Sequence, residues 1–130
     1  MYEPARVLIV DDNEHVLDRA STVLSPECHV IGVAKDAPGA IEAVEALRPD
    51  VVVLDLSLPG MTGFELTAEL RKIGSKAAVV FLTRQAEEDV ALAAIAAGVA
   101  GYVVTPRLGS DLPLAVRDAC AGRTFVSKIH

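Results

Sequence analysis

The chain has 130 residues, a length that suits one domain and buries roughly two thirds of the surface its unfolded form exposes. With 52% hydrophobic and 23% charged residues and a net charge of −6, it is too apolar for a disordered segment and has no basic footprint for nucleic acid or an anionic membrane. No run approaches the ~20 uncharged apolar residues of a bilayer span, and Met1 leads into Glu3 and Arg6 rather than a leader pattern, so a soluble, cytoplasmic protein is expected.

Along the chain, apolar strand-like runs alternate with helical patterns, the signature of βαβ units on a parallel sheet. Residues 5–10 read as a first strand buried on both faces, because the apolar run is nearly continuous and β-branched. Val16, Leu17, Ala20, Val23 and Leu24 then recur at helical spacing, with Asp12 or Asn13 able to cap the start. His29 to Ala34 is a second strand, and Asp36 caps a helix carrying Ala40, Ile41, Val44 and Leu47 that ends before Pro49. Residues 51–55 form a third strand, followed by a long turn from Leu58 to Gly63 and a helix with Leu66, Leu70 and Ile73 on one side. Ala77 to Leu82 is the fourth strand, and an alanine-rich helix runs from about Glu87 to Ala97 with its acids in the first turn, where the macrodipole favours them. Gly101 to Val104 is a short fifth strand, and Leu112, Ala115, Val116, Ala119 and Cys120 give the apolar face of a last helix before Gly122. The segment 123–130 has no pattern of its own. Cys28 and Cys120 read as buried free thiols, and His15, His29 and His130 form no metal or catalytic constellation.

Ligands bind doubly wound sheets outside the carboxyl ends of their strands. Asp11 and Asp12 follow the first strand and Asp55 ends the third, so if those strands are neighbours three carboxylates converge at one rim. Each pair ~5 Å apart repels by about 3 kcal/mol at an effective dielectric of 20, which calls for a cation. Oxygen-only ligands at an open edge suit Mg²⁺, and a carboxylate held beside it is a competent nucleophile toward phosphorus. The bland reading of Asp11, Asp12 and Asn13 is a helix cap. Asp55 is harder to read blandly, because a carboxylate ending four buried apolar residues is costly without a partner, and its coincidence with the Asp11-Asp12 pair favours a metal site.

Val10-Asp11-Asp12-Asn13, the run Asp55-Leu56-Ser57-Leu58-Pro59-Gly60-Met61-Thr62-Gly63, Thr83 and Gly101-Tyr102 occur in an order and spacing that resemble the receiver domain of bacterial two-component response regulators, over Arg6 to about Gly122. The resemblance is strongest to receivers of helix-turn-helix DNA-binding regulators, because residues 122–127 are similar to the segment leading into their output domain. It implies a flavodoxin-like (βα)5 three-layer sandwich with strand order 2-1-3-4-5, a receiver over 1–122, and a tail over 123–130 that begins a linker. It implies that Asp55 accepts a phosphoryl group from a sensor histidine kinase or a small donor such as acetyl phosphate. Asp12, Asp55 and the backbone carbonyl of Ser57 would hold Mg²⁺, with Asp11 acting through water. Thr83 would hydrogen-bond the phosphoryl oxygens, and Tyr102 would be the aromatic switch; the plain alternatives are β propensity for Thr83 and ordinary packing for Tyr102. Such a domain is a phosphoacceptor that assists its own phosphotransfer and dephosphorylation rather than an enzyme, dimerises through its fourth helix, fifth strand and fifth helix, and touches neither nucleic acid nor membrane itself.

Two positions depart from the family pattern. Thr105 stands where the family has a lysine at the end of strand five, with Pro106 kept after it and a cis Thr105-Pro106 bond expected. Arg84 occupies a position that is usually small. Either Arg84 or Arg107 supplies the missing charge, or the domain is an atypical receiver that works as a phosphorylation-weak or phosphorylation-independent interaction module. An aspartate-nucleophile phosphatase is a remote alternative, since Asn13 stands where such an enzyme wants an acid two residues after Asp11. Dinucleotide binding fails for want of a Gly-x-Gly-x-x-Gly after the first strand.

Overall fold

The computed structural model describes residues 3–129; Met1, Tyr2 and His130 lie outside the described residues. Strands β1 (Arg6–Val10), β2 (His29–Ala34), β3 (Val51–Asp55), β4 (Ala78–Thr83) and β5 (Gly101–Val104) alternate with helices α1 (Glu14–Leu24), α2 (Ala37–Leu47), α3 (Gly63–Lys72), α4 (Glu88–Ala96) and α5 (Leu108–Cys120). A two-residue strand β6 (Phe125–Val126) completes one parallel sheet in the order β2-β1-β3-β4-β5-β6. The expected 2-1-3-4-5 order is therefore present, with one strand more.

The inner strands alternate sides, as period two demands. Leu8, Val52, Leu54, Val79 and Phe81 pack against α2, α3 and α4, while Val7, Ile9, Val51, Val53 and Val80 pack against α1 and α5. Both faces are covered, which is why these segments read as continuous apolar runs rather than alternating ones. Phe81 and Phe64 meet edge to face at 5.2 Å between ring centroids, tying β4 to the first turn of α3.

Local chemistry sets the helix ends. Asn13, not Asp12, caps α1, accepting from the amides of His15 and Val16. Thr62 and Glu65 form a reciprocal capping box at α3. The long turn before α3 is a small hairpin, Ser57–Leu58 against Met61–Thr62, with Pro59 and Gly60 at its tip and Gly60 at φ 76°. Gly63 then returns beside β3: a Cβ there would lie 3.0 Å from the Leu56 Cα and 3.2 Å from the Asp55 carbonyl oxygen. Its amide donates to Leu56 O at 2.7 Å. Gly63→Ala is therefore expected to destabilise the fold by about 1–3 kcal/mol, the usual range for overpacking, in a urea titration monitored by circular dichroism.

Several expectations need correction. Among the described residues no peptide is cis. Thr105–Arg107 instead forms a 3-10 turn, whose first positions suit the fixed φ of Pro106 without isomerisation. Cys28 is half-buried and Cys120 exposed, the latter because it sits in the last turn of α5, past the point where Ala119 closes the core. The last helix begins at Leu108 and continues through Pro113. Residues 125–126, read as patternless, pair with Gly101 and Tyr102 of β5. His15 and His29 are exposed and stand in no cluster of metal-ligating groups among the described residues. No described helix is long and apolar enough to cross a membrane.

Candidate functional site

Pairing of Val10 with Leu54 brings Asp11 level with Asp55 at the carboxyl rim of the sheet. Asp11 is buried, Asp55 half-buried and Asp12 exposed, and one carboxylate oxygen of each lies within 4.8 Å of the others. The backbone fixes two of them: Asp11 accepts from the Asn13 amide at 2.9 Å, and Asp55 from the Ser57 amide at 3.0 Å. Asn13 thus caps α1 and orders Asp11, while Asp12 stays free to face solvent. The cap reading holds for Asn13, and the same run brings Asp11 and Asp12 into the acidic cluster with Asp55.

These carboxylates floor a cleft of ≈ 470 Å³ lined also by Ser57, Leu82, Thr83, Arg84, Gln85 and Thr105. Thr83 is buried at the end of β4, opposite Val104, and its hydroxyl accepts from the Gln85 amide at 3.0 Å. Used as an acceptor there, that hydroxyl keeps its proton for donation. Arg84 is exposed at the rim, where its charge favours the ionised forms of Asp11 and Asp55. Thr105, directly after the Val104 that pairs with Thr83, also lines the cleft. Arg107 turns away and pairs with Asp111 at 2.9 Å, so of the two candidate replacements for lysine only Arg84 lines the cleft. Tyr102 is fully buried, and its hydroxyl donates to the Gln85 carbonyl. Gln85 therefore joins Thr83 to Tyr102 through its own backbone. The sequence held no signal for this, because a peptide group acts rather than a side chain.

Burial pushes the Asp55 carboxyl up to about 6; the neighbouring acids add to the rise, while the Ser57 amide and Arg84 oppose it. Asp11 is raised for the same leading reason, with Asp12 adding to it. The donor set fits a hard divalent cation: three carboxylates with neither sulfur nor nitrogen among them, in a cleft open to water. Oxygens sharing one Mg²⁺ at 2.0–2.1 Å lie about 3–4 Å apart, so small side-chain adjustments would close this set. Because a protonated carboxyl is a poor ligand, divalent affinity is expected to weaken as pH falls through about 6. Calorimetric titrations at a series of pH values check this. A folded value above the ordinary 3.8 also means that the metal-free fold loses stability as pH rises from there to about 6, and that the loss is complete above it.

The response regulator receiver domain model matches residues 7–117. The chain is 36% identical over 129 residues to the nitrate/nitrite response regulator protein NarL of Escherichia coli, covering 97% of this chain and 59% of that protein. It is 38% identical over 123 residues to the DNA-binding transcriptional activator DevR/DosR of Mycobacterium tuberculosis, covering 93% and 57%. It thus spans about three fifths of the length of these curated relatives. Among solved structures, a LuxR-family two-component response regulator from Aurantimonas superposes with a TM-score of 0.87 at 32% identity, over 95% of this chain and 89% of that one. With the parallel 2-1-3-4-5 sheet and the acidic cleft at its carboxyl rim, the match places this chain in the response regulator receiver domain family, among receivers of the NarL/LuxR type.

Proposed function

We propose that this domain is a cytoplasmic phosphoacceptor in which Asp55 takes a phosphoryl group from the phosphohistidine of a sensor histidine kinase, or from a small acyl phosphate. The observation that carries the reading is the placing of Asp55: half-buried, beside two further carboxylates, and facing a cleft lined by a hydroxyl and a guanidinium. An Asp55 carboxylate oxygen attacks phosphorus, a P–O bond to the aspartate forms, and the bond to the leaving nitrogen or oxygen breaks. Asp12, Asp55 and the carbonyl of Ser57 would hold Mg²⁺, with Asp11 acting through water; the ion would offset charge between the carboxylates and the incoming group. Thr83 donates to the new phosphoryl oxygens, and Arg84 supplies cationic charge in place of the family's lysine. The added charge and acceptors draw Thr83 inward and release Gln85, which loosens the hold on Tyr102 and reshapes the α4-β5-α5 face for dimerisation or output. Residues 123–130 lead toward an output element, and the receiver acts as a signal input rather than an enzyme.

A second reading, a receiver with weak phosphorylation readout that serves as an interaction module, is favoured by one observation. Thr105 brings no charge to the cleft wall, and Arg107 is committed to Asp111. Incubation with Mg²⁺ and acetyl phosphate followed by intact mass analysis tests the first reading. The addition of one phosphoryl group, dependent on Mg²⁺, supports it. Unmodified protein, under conditions that label a lysine-containing receiver, overturns it in favour of the second.

A further inference from the structure

Asp111 lies on the core-facing stripe of α5, between Leu108 and Leu112, and is only 3% exposed. A carboxylate at such a position must be satisfied within the protein. Three side chains do so: Ser127 Oγ at 2.7 Å, Arg107 Nε at 2.9 Å and Ser110 Oγ at 3.0 Å. Burial opposes the charge, but these donors outweigh it and hold the carboxyl below its ordinary range. Ser127 is equally buried at 3% and serves both sides. While donating to Asp111, it accepts from the Val104 amide at 3.2 Å, and its own amide donates to Tyr102 O at 2.8 Å. Val104 is the last residue of β5 and Thr105, the next, forms the cleft wall. One residue therefore separates the chain's C-terminal segment from the acidic cleft.

We infer that Ser127 and Asp111 are positioning residues that fasten the C-terminal segment to the end of β5, so that the course of the chain beyond residue 127 and the state of the cleft are coupled. The phosphoryl-responsive half of this inference rests on the phosphoacceptor reading above. The mechanical half stands without it. The geometry makes the coupling two-way. Movement of Val104 and Thr105 toward a group on Asp55 must strain the bond from the Val104 amide to Ser127. Loss of the Ser127 hydroxyl must in turn leave the Val104 amide without its acceptor and free Thr105 to shift. Arg107, held by the same carboxylate, is part of the fastening rather than a phosphate ligand.

The test uses the 130-residue chain and two-dimensional amide NMR. In ligand-free protein, Ser127→Ala is expected to speed hydrogen exchange at Val104 and Ser127 roughly five- to thirtyfold, as loss of one or two hydrogen bonds implies. It should also shift the Thr105 and Thr83 amide resonances, which a merely local role at the tail would leave in place. Ser127→Thr, which keeps the hydroxyl, is expected to restore both. In a second arm, Mg²⁺ with beryllofluoride, a phosphoryl mimic, is added to the wild type. Exchange at residues 104 and 125–127 should then change severalfold, and should not respond in Ser127→Ala. If Ser57 and Thr83 respond to beryllofluoride while residues 104 and 125–127 do not, the coupling is wrong and the phosphoacceptor reading stands. If Ser57 and Thr83 do not respond, that reading fails, and the first arm alone decides the coupling. Unchanged Thr105 resonances in Ser127→Ala would overturn it.

Discussion

Asp55→Asn is expected to abolish phosphoryl transfer from acetyl phosphate and, in the absence of metal, to make the fold more stable. The first effect follows because the amide has no anionic oxygen with which to attack phosphorus. The second is a consequence of the site's electrostatics. Burial raises the Asp55 carboxyl to about 6, so holding it ionised at pH 7.5 costs folding free energy that an unfolded aspartate would not incur. The full shift corresponds to about 3 kcal/mol at 1.36 kcal/mol per pH unit. Asp55 is only half-buried, and solvent screening reduces the expected gain to about 1–2 kcal/mol. Urea titrations in a chelating buffer would measure it. Added Mg²⁺ should narrow the gap, because the wild type gains more from the ion than the amide variant does. A loss of stability in Asp55→Asn without metal would mean that the aspartate is a structural acceptor.

Thr105→Lys is expected to bind beryllofluoride with Mg²⁺ roughly 10- to 150-fold more tightly than the wild type, the value of a charge-assisted hydrogen bond of about 1.5–3 kcal/mol. Thr105 already lines the same cleft as Asp55, so an ammonium there is expected to meet the tetrahedral beryllofluoride group on Asp55. Beryllofluoride gives an equilibrium readout free of the hydrolysis that complicates phosphoaspartate. The variant also tests Arg84. If the exposed guanidinium stands in for the absent lysine, Arg84→Ala should weaken beryllofluoride binding clearly in the wild type and much less in the Thr105→Lys background, giving a double-mutant coupling of about 0.5 kcal/mol or more, as interacting residues usually show. Additive effects would show that the two cations act separately. No effect of Arg84→Ala in the wild type would leave the cleft without a cationic side chain that matters.

The inner strands were legible in the sequence because both faces of the sheet are covered there. Val7 to Val10, Val51 to Leu54 and Val79 to Leu82 had to be apolar on both sides, and the runs stood out for that reason. The acidic cluster at the rim was legible because a carboxylate after such a run is expensive, and two runs ended that way. What escaped reading depends on partners distant in sequence. Phe125 and Val126 become a strand only because Gly101 and Tyr102 offer an edge. Cys120 looked apolar in context, but it lies past the end of the α5 core stripe. Arg107 resembled a spare cation until Asp111 was seen to hold it. Asp111 itself carried a signal that could have been read, since it interrupts the stripe of Leu108, Leu112 and Ala115 with a charge that demands partners.

The proposed phosphoryl acceptance at Asp55 rests on Asp11, Asp12 and Asp55 acting together as a divalent-ion site, and a Mg²⁺ titration followed at the backbone amides tests this most directly. Saturable shifts in the millimolar range, confined at first to residues 11–13, 55–57 and 83–85 and abolished by Asp12→Ala, are predicted. Amides at these positions that stay unmoved through the titration, or that drift together with the whole spectrum as ionic strength rises, would contradict it.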